Sequence, residues 1–184
     1  LNQCQIESPF QVELPSIVIN EGVYNGNTLF HKTGSDYDQG GGSMVFHGKA
    51  HFKTSSDGDL LLNYESSNNQ FLDDLIIECT GDGKVLTATE GSSDLYKNLE
   101  FKGSTAPDLN QGSVMNFVGS YNQHILSIGS INDFSLATLL VEKPLGELII
   151  DIPLHIQNEI QLNKGIIQLS DSNSLFLDSL AIVS

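Results

Sequence analysis

Few residues in this chain are spaced for chemistry, and the adjacent carboxylates Asp73-Asp74 come first. Two carboxylates flanking a glycosidic bond can serve as acid and base in its hydrolysis. Neighbours on a strand point to opposite faces, so this pair cooperates only where the backbone bends, and a solvated turn explains it better. The five histidines, His31, His47, His51, His124 and His155, are scattered, and His47 with His51 is the one close pair. Neither has the adjacent glutamate of a zinc protease, so no zinc site is expected. Gly40-Gly41-Gly42-Ser43 lacks the following lysine of a phosphate loop, and reads as a flexible connector. No Gly-x-Ser-x-Gly elbow is present, and no catalytic residue is singled out.

Calcium is the one ion the sequence invites. Asp36, Asp38, Asp57 and Asp59, with Asp82 and Asp171, sit in turns rich in Gly, Ser and Asn, where hard oxygen ligands can converge. No segment has the spacing of a known calcium loop. Apart from this, no cofactor is indicated. Cys4 and Cys79 are the only thiols, too few for a disulfide framework. They could pair across a long loop, but Cys79 in Leu75-Ile76-Ile77-Glu78-Cys79 reads better as a small core residue.

The charge balance narrows the partners. Of 184 residues, 23 are Asp or Glu and eight are basic, all of them lysine, for a formal net charge of −15. Such a chain repels nucleic acid and anionic membrane surfaces, and without arginine it lacks the bidentate fork used for phosphates and carboxylates. No apolar run approaches the roughly 20 residues of a membrane-spanning helix. The 39% hydrophobic content suffices for one core in a single domain. The start, Leu1-Asn2-Gln3-Cys4 without an initiator Met, fits a processed or excised segment.

The apolar residues fall in short clusters, among them Ile17-Val18-Ile19, Met44-Val45-Phe46, Leu60-Leu61-Leu62, Leu75-Ile76-Ile77, Leu139-Leu140-Val141 and Leu148-Ile149-Ile150. No helical period persists over the 11 or more residues that a surface helix needs, so the chain reads as all-β. Short runs every 6 to 15 residues or so suit either an antiparallel sandwich or a solenoid of parallel strands. The second half offers no tight hairpin signal like Asn25-Gly26, Asp57-Gly58 or Asp82-Gly83, which favours the solenoid.

Internal echoes favour it too. Gly42-Ser43-Met44-Val45-Phe46-His47-Gly48 returns as Gly112-Ser113-Val114-Met115-Asn116-Phe117-Val118-Gly119. Phe71 with Leu75-Ile76-Ile77 and Gly83-Lys84-Val85-Leu86 is echoed by Phe134 with Leu139-Leu140-Val141 and Gly146-Glu147-Leu148-Ile149. Each offset is long enough for about three coils of roughly 20 to 24 residues. About eight coils are expected, with residues 1–40 as an N-terminal cap and first coils and residues 41–184 as the repeats.

The order Gly112-Ser113 to Gly119, Gln123-His124-Ile125, Phe134 to Val141, Gly146, Leu148-Ile149-Ile150, Pro153-Leu154-His155-Ile156, Gly165-Ile166-Ile167-Gln168-Leu169 and Leu175-Phe176-Leu177 resembles the repeats of large secreted surface proteins of the Bacteroidetes. That resemblance implies a right-handed parallel β-helix, export by the type IX secretion system, and a place on the cell surface or beyond it. It implies partnership with the type IX translocon during export, and a role in adhesion or gliding motility. On this reading the protein is a non-enzymatic adhesin that meets polysaccharide or another surface component through Tyr24, Tyr37, Tyr64, Tyr96 and Tyr121. Tyrosine suits that task because its ring stacks on sugars while its hydroxyl hydrogen-bonds. The alternative is a polysaccharide lyase or glycoside hydrolase of the β-helix type.

Overall fold

The computed structural model describes residues 2–62, 67–87, 91–131, 134–170 and 173–184, and its described residues form strands and turns with no helix. The chain winds as a parallel β-solenoid. Its first circuit carries β1 (Asn2–Ile6) and β2 (Phe10–Leu14), and the second β3 (Asn20–Tyr24), β4 (Thr28–Lys32) and β5 (Asp38–Gln39). The third carries β6 (Gly41–Phe46), β7 (Ala50–Thr54) and β8 (Leu60–Leu61), and the fourth β9 (Ser67–Phe71), β10 (Leu75–Cys79) and β11 (Val85–Leu86). Then come β12 (Gly91–Leu95), β13 (Leu99–Gly103), β14 (Asp108–Phe117) and β15 (Gln123–Gly129). The last strands are β16 (Phe134–Ile150), β17 (Leu154–Leu169), β18 (Leu175–Leu177) and β19 (Ile182–Val183).

Three faces result. The first stacks β1, β3, β6, β9, β12 and β14, the second β2, β4, β7, β10, β13 and β15, and the third β5, β8 and β11. The long β16 rounds a corner: Thr138–Val141 pairs with β14 on the first face and Leu148–Ile150 with β15 on the second. The ladder continues across residue 40, with Tyr24 beside Phe46 after a register shift between Asn20 and Gly22. One inward position of the second face passes from Phe10 through Thr28, Ala50, Leu75, Leu99 and Ile125 to Ile150. The circuit is 18 residues from Phe10 to Thr28 and 26 from Leu99 to Ile125, so coils differ in their corners while the strands stay in register.

Strands recur because side chains alternate. In Thr28–Lys32 and Ala50–Thr54 every second residue is buried, which places Phe30 and Phe52 inside and Leu29, His31, His51 and Lys53 outside. Register turns the inward positions into columns. Tyr24, Phe46 and Phe71 stack on the first face, with ring centroids 4.7 and 5.2 Å apart and planes 8° and 4° from parallel. Phe30 and Phe52 stack on the second at 5.4 Å. The two columns meet edge to face, Tyr24 on Phe30 and Phe46 on Phe52, both at 5.6 Å and 90°. Such offset and T-shaped contacts add to the area each ring removes from water.

The first sequence echo is a true structural repeat. Met44 to Phe46 lie on β6 and Met115 to Phe117 on β14, the same face three rungs apart, and Phe46 and Phe117 share one inward column. The second echo is out of register. Leu75-Ile76-Ile77 belongs to the second face and stacks on Leu99, whereas Leu139-Leu140-Val141 belongs to the first and stacks on Met115 to Phe117. Gly40 to Ser43 is no flexible connector, since Gly41 opens β6 and a Cβ on Gly40 would lie 2.2 Å from the Ile19 carbonyl oxygen.

Corners are capped across coils. The Asn27 side-chain oxygen accepts the Lys49 N–H at 3.0 Å, Asn98 accepts His124 N–H at 2.9 Å, and Asn122 accepts Glu147 N–H at 3.1 Å. Asp74 joins this series, accepting Asn98 N–H at 3.2 Å while pairing with Lys49 Nζ at 2.8 Å. Asp73 accepts the Asp74 N–H instead, so the adjacent carboxylates hold a corner separately. Gly103, at φ +97°, leaves no room for a side chain, because a Cβ there would sit 2.1 Å from the Cys79 carbonyl oxygen.

One further corner is closed by a buried amine. Lys143 Nζ donates to the carbonyls of Gly119 at 2.8 Å and Tyr121 at 2.7 Å, and to Gln123 Oε1 at 2.6 Å. Burial pushes this ammonium down to about 8.

Phe52→Ala opens a void between the Phe30 ring and Ile77, against the edges of Phe46 and Phe71, that the ladder cannot close. A loss of about 3–5 kcal/mol is expected, read as a lower urea midpoint at unchanged slope.

Candidate functional site

The outward side of the second face concentrates the titratable side chains. Two rows run across the coils. Leu29, His51, Ile76 and Glu100 form one, and Glu13, His31, Lys53, Glu78 and Lys102 form the other. Adjacent strands lie about 4.8 Å apart, so each charge in a row meets its neighbour's. Lys53 Nζ contacts Glu78 Oε1 at 2.9 Å, and His51 Nε2 contacts Glu78 Oε2 at 2.9 Å. Burial opposes the Glu78 charge, but hydrogen bonds from Lys53 and His51 outweigh it and hold the carboxyl below its usual range. Burial also pushes His51 below the ordinary imidazole range, against the pull of Glu78. At neutral pH His51 therefore donates as a neutral ring and Lys53 carries the countercharge. Further along, His124 Nδ1 meets Asp151 Oδ2 at 2.6 Å.

Over the first of these rows a cavity of about 450 Å³ opens on the second face. Phe10, Leu29 and Ile76 give it apolar walls, and Asn27, Lys49 and His51 bring hydrogen-bonding groups to its rim. The residues come from four successive coils and are held by strands or capped corners rather than by loops.

Three side chains expected in no common site meet at one edge of this face. Glu13 Oε2 lies 2.9 Å from His31 Nδ1, and Ser55 Oγ lies 2.8 Å from His31 Nε2. Glu13 and His31 are register partners on β2 and β4, and Ser55 follows β7 with its N–H on the Lys32 carbonyl at 3.1 Å. Sequence reading missed them because they sit 18 and 24 residues apart in three coils, and only the register makes them neighbours.

The four described tyrosines differ in burial. Tyr24 is fully buried in the first-face stack, with the Cys4 Sγ donating to its hydroxyl at 3.2 Å. Its expected role as a contact residue is thereby corrected: the inward register of β3 makes it core. Tyr37 and Tyr121 are 52% and 71% exposed, and Lys97 Nζ sits 4.7 Å from the Tyr121 ring centroid. Tyr96 is half-buried at the corner between the first and second faces. Tyr64 lies outside the described residues.

Among the described residues the acidic turns do not converge either. Asp36 and Asp57 are exposed, and Asp59 Oδ1 accepts the Lys84 N–H at 2.7 Å. Asp171 lies outside the described residues. Among the described residues no group of three or more His, Cys, Asp or Glu is placed to hold a metal ion. Asp38, one of the calcium candidates, is 4% exposed. Its Oδ2 accepts from Lys32 Nζ and from Ile17 N–H, both at 2.7 Å, and its Oδ1 accepts from Ser16 Oγ at 2.7 Å. Burial raises the cost of this charge, but those donors prevail and hold the carboxyl below the usual carboxylate range. The two cysteines are free thiols: Cys4 bonds Tyr24, and burial pushes buried Cys79 up to about 11.

No protein family matches the chain, and neither a curated protein nor a solved structure is found to be similar to it.

Asp38→Asn leaves the Lys32 ammonium buried without a countercharge and is expected to cost about 3–5 kcal/mol in urea unfolding, with Lys32→Met in the same chain recovering most of it. In the parent protein the Asp38 contribution is full above about pH 4 and fades as the pH falls through the depressed folded value, an acid transition that the double variant lacks.

Proposed function

We propose that the chain is a binding solenoid displayed at or released from the cell surface, which holds polysaccharide or another surface component along its second face. The observation that carries this reading is the groove framed by Phe10, Leu29, Ile76, Lys49 and His51. Sugar rings offer apolar faces edged by hydroxyls, and this groove pairs apolar walls with hydrogen-bonding groups on a fixed scaffold. Tyr96 and Tyr121 extend the same side of the molecule, since both lie in the turns between first-face and second-face strands, one coil apart. Binding of this kind needs no turnover, and a strand-built surface loses little freedom when it engages. Export by the type IX system, with its translocon as transient partner, rests on the resemblance of the repeats, and adhesion or gliding follows from display.

The test is retention of the folded chain on immobilised surface polysaccharides and on whole cells. Leu29→Asp places a charge on the groove floor and is expected to weaken retention about tenfold or more, a change of about 1.4 kcal/mol. Leu180→Ser, at an exposed apolar site in the last turn, is expected to leave it unchanged. Absence of retention on every polysaccharide and cell surface tried, or equal retention of the Leu29 variant, sinks the reading.

A further inference from the structure

The Glu13–His31–Ser55 constellation goes beyond a binding role and does not depend on it. A glutamate carboxylate only accepts, so His31 carries its proton on Nδ1, donating to Glu13 Oε2 at 2.9 Å. Its Nε2 is then an acceptor, and the Ser55 hydroxyl donates to it at 2.8 Å. Nucleophile, base and orienting carboxylate thus stand in the order that acyl-transfer hydrolases use on unrelated folds. Position is fixed from below: Glu13 and His31 lie in regular parallel strands, and the Ser55 N–H is bound to the coil beneath at 3.1 Å. Access is open from above, since Ser55 and Glu13 are exposed. The groove lies alongside, because Leu29 and His31 are both outward residues of β4, about 7 Å apart along the strand.

We propose that Ser55 is a nucleophile for acyl esters, with His31 as general base and Glu13 as the positioning residue. Ser55 Oγ bonds to the acyl carbon as its proton passes to His31 Nε2. Collapse of the tetrahedral adduct breaks the bond to the leaving oxygen, which takes that proton from His31 and departs as the alcohol. Water then attacks the acyl-serine, giving a proton to His31; the acid leaves, and Ser55 Oγ regains its proton. The substrate class is a small acyl ester reaching the protein from solution or carried on a polymer in the groove.

The experiment uses the full chain with p-nitrophenyl acetate, and a fluorophosphonate that phosphonylates serine with loss of fluoride. One label per chain, mapped to Ser55 by mass spectrometry, is expected, together with ester hydrolysis above the solution rate. Ser55→Ala is expected to abolish both. His31→Gln is expected to lower kcat/KM by about a hundredfold or more. Glu13→Gln should lower kcat and leave KM unchanged, the split expected of a group that acts through His31. Ser55→Cys, which keeps the site's shape, should still acylate, now as a thioester of distinct mass. Absence of labelling, label on another serine, or hydrolysis unchanged in Ser55→Ala overturns the proposal, and unchanged circular dichroism excludes misfolding as the cause of any loss.

Discussion

Every feature of the molecule depends on the backbone hydrogen bonds that join each coil to the next. They hold strands about 4.8 Å apart and in fixed register, so that a residue's partners are set by the coil above and below rather than by its neighbours in sequence. That spacing suits stacked rings. Tyr24, Phe46 and Phe71 lie 4.7 and 5.2 Å from one another because the strands that carry them do. The same spacing brings like side chains together outside, where unrelieved charge would destabilise the ladder. The second face answers with Glu13, His31, Lys53, Glu78 and Lys102, an order that places each carboxylate beside a base.

The solenoid was legible in the sequence because its cause is local. Short apolar runs, broken by Gly, Asn and Asp, are what a coil needs to turn and to bury one side. The echo between Gly42–Gly48 and Gly112–Gly119 identified a true repeat because its spacing in the chain matches three circuits. The other echo misled. Leu-Ile-Ile and Leu-Leu-Val triplets serve the first and second faces equally well, so likeness of composition does not say which face a run occupies. Coil lengths between 18 and 26 residues compound this, since a fixed period drifts off register within a few turns.

The candidate sites were far less legible. Tyr24 and Asp38 are residue types that usually lie at surfaces, and each is buried by a partner that no local pattern reveals: a ring one coil away for Tyr24, and for Asp38 a lysine six residues back that folds inward. Lys32 and Lys143 are likewise interior, and the carbonyls that receive Lys143 belong to another coil. Cys79 was recognised as core because its own run is apolar, a cue that requires no long-range knowledge. Glu13, His31 and Ser55 carry no such cue.

The nearest-neighbour arrangement of the coils also decides how the molecule bears load. Tension applied to one terminus falls first on the outermost rung, whose bonds reach only the rung beneath, and rungs peel away singly instead of sharing the strain. A solenoid of this design yields gradually and can rewind from whatever turns remain, the behaviour of a shock absorber more than of a rigid strut.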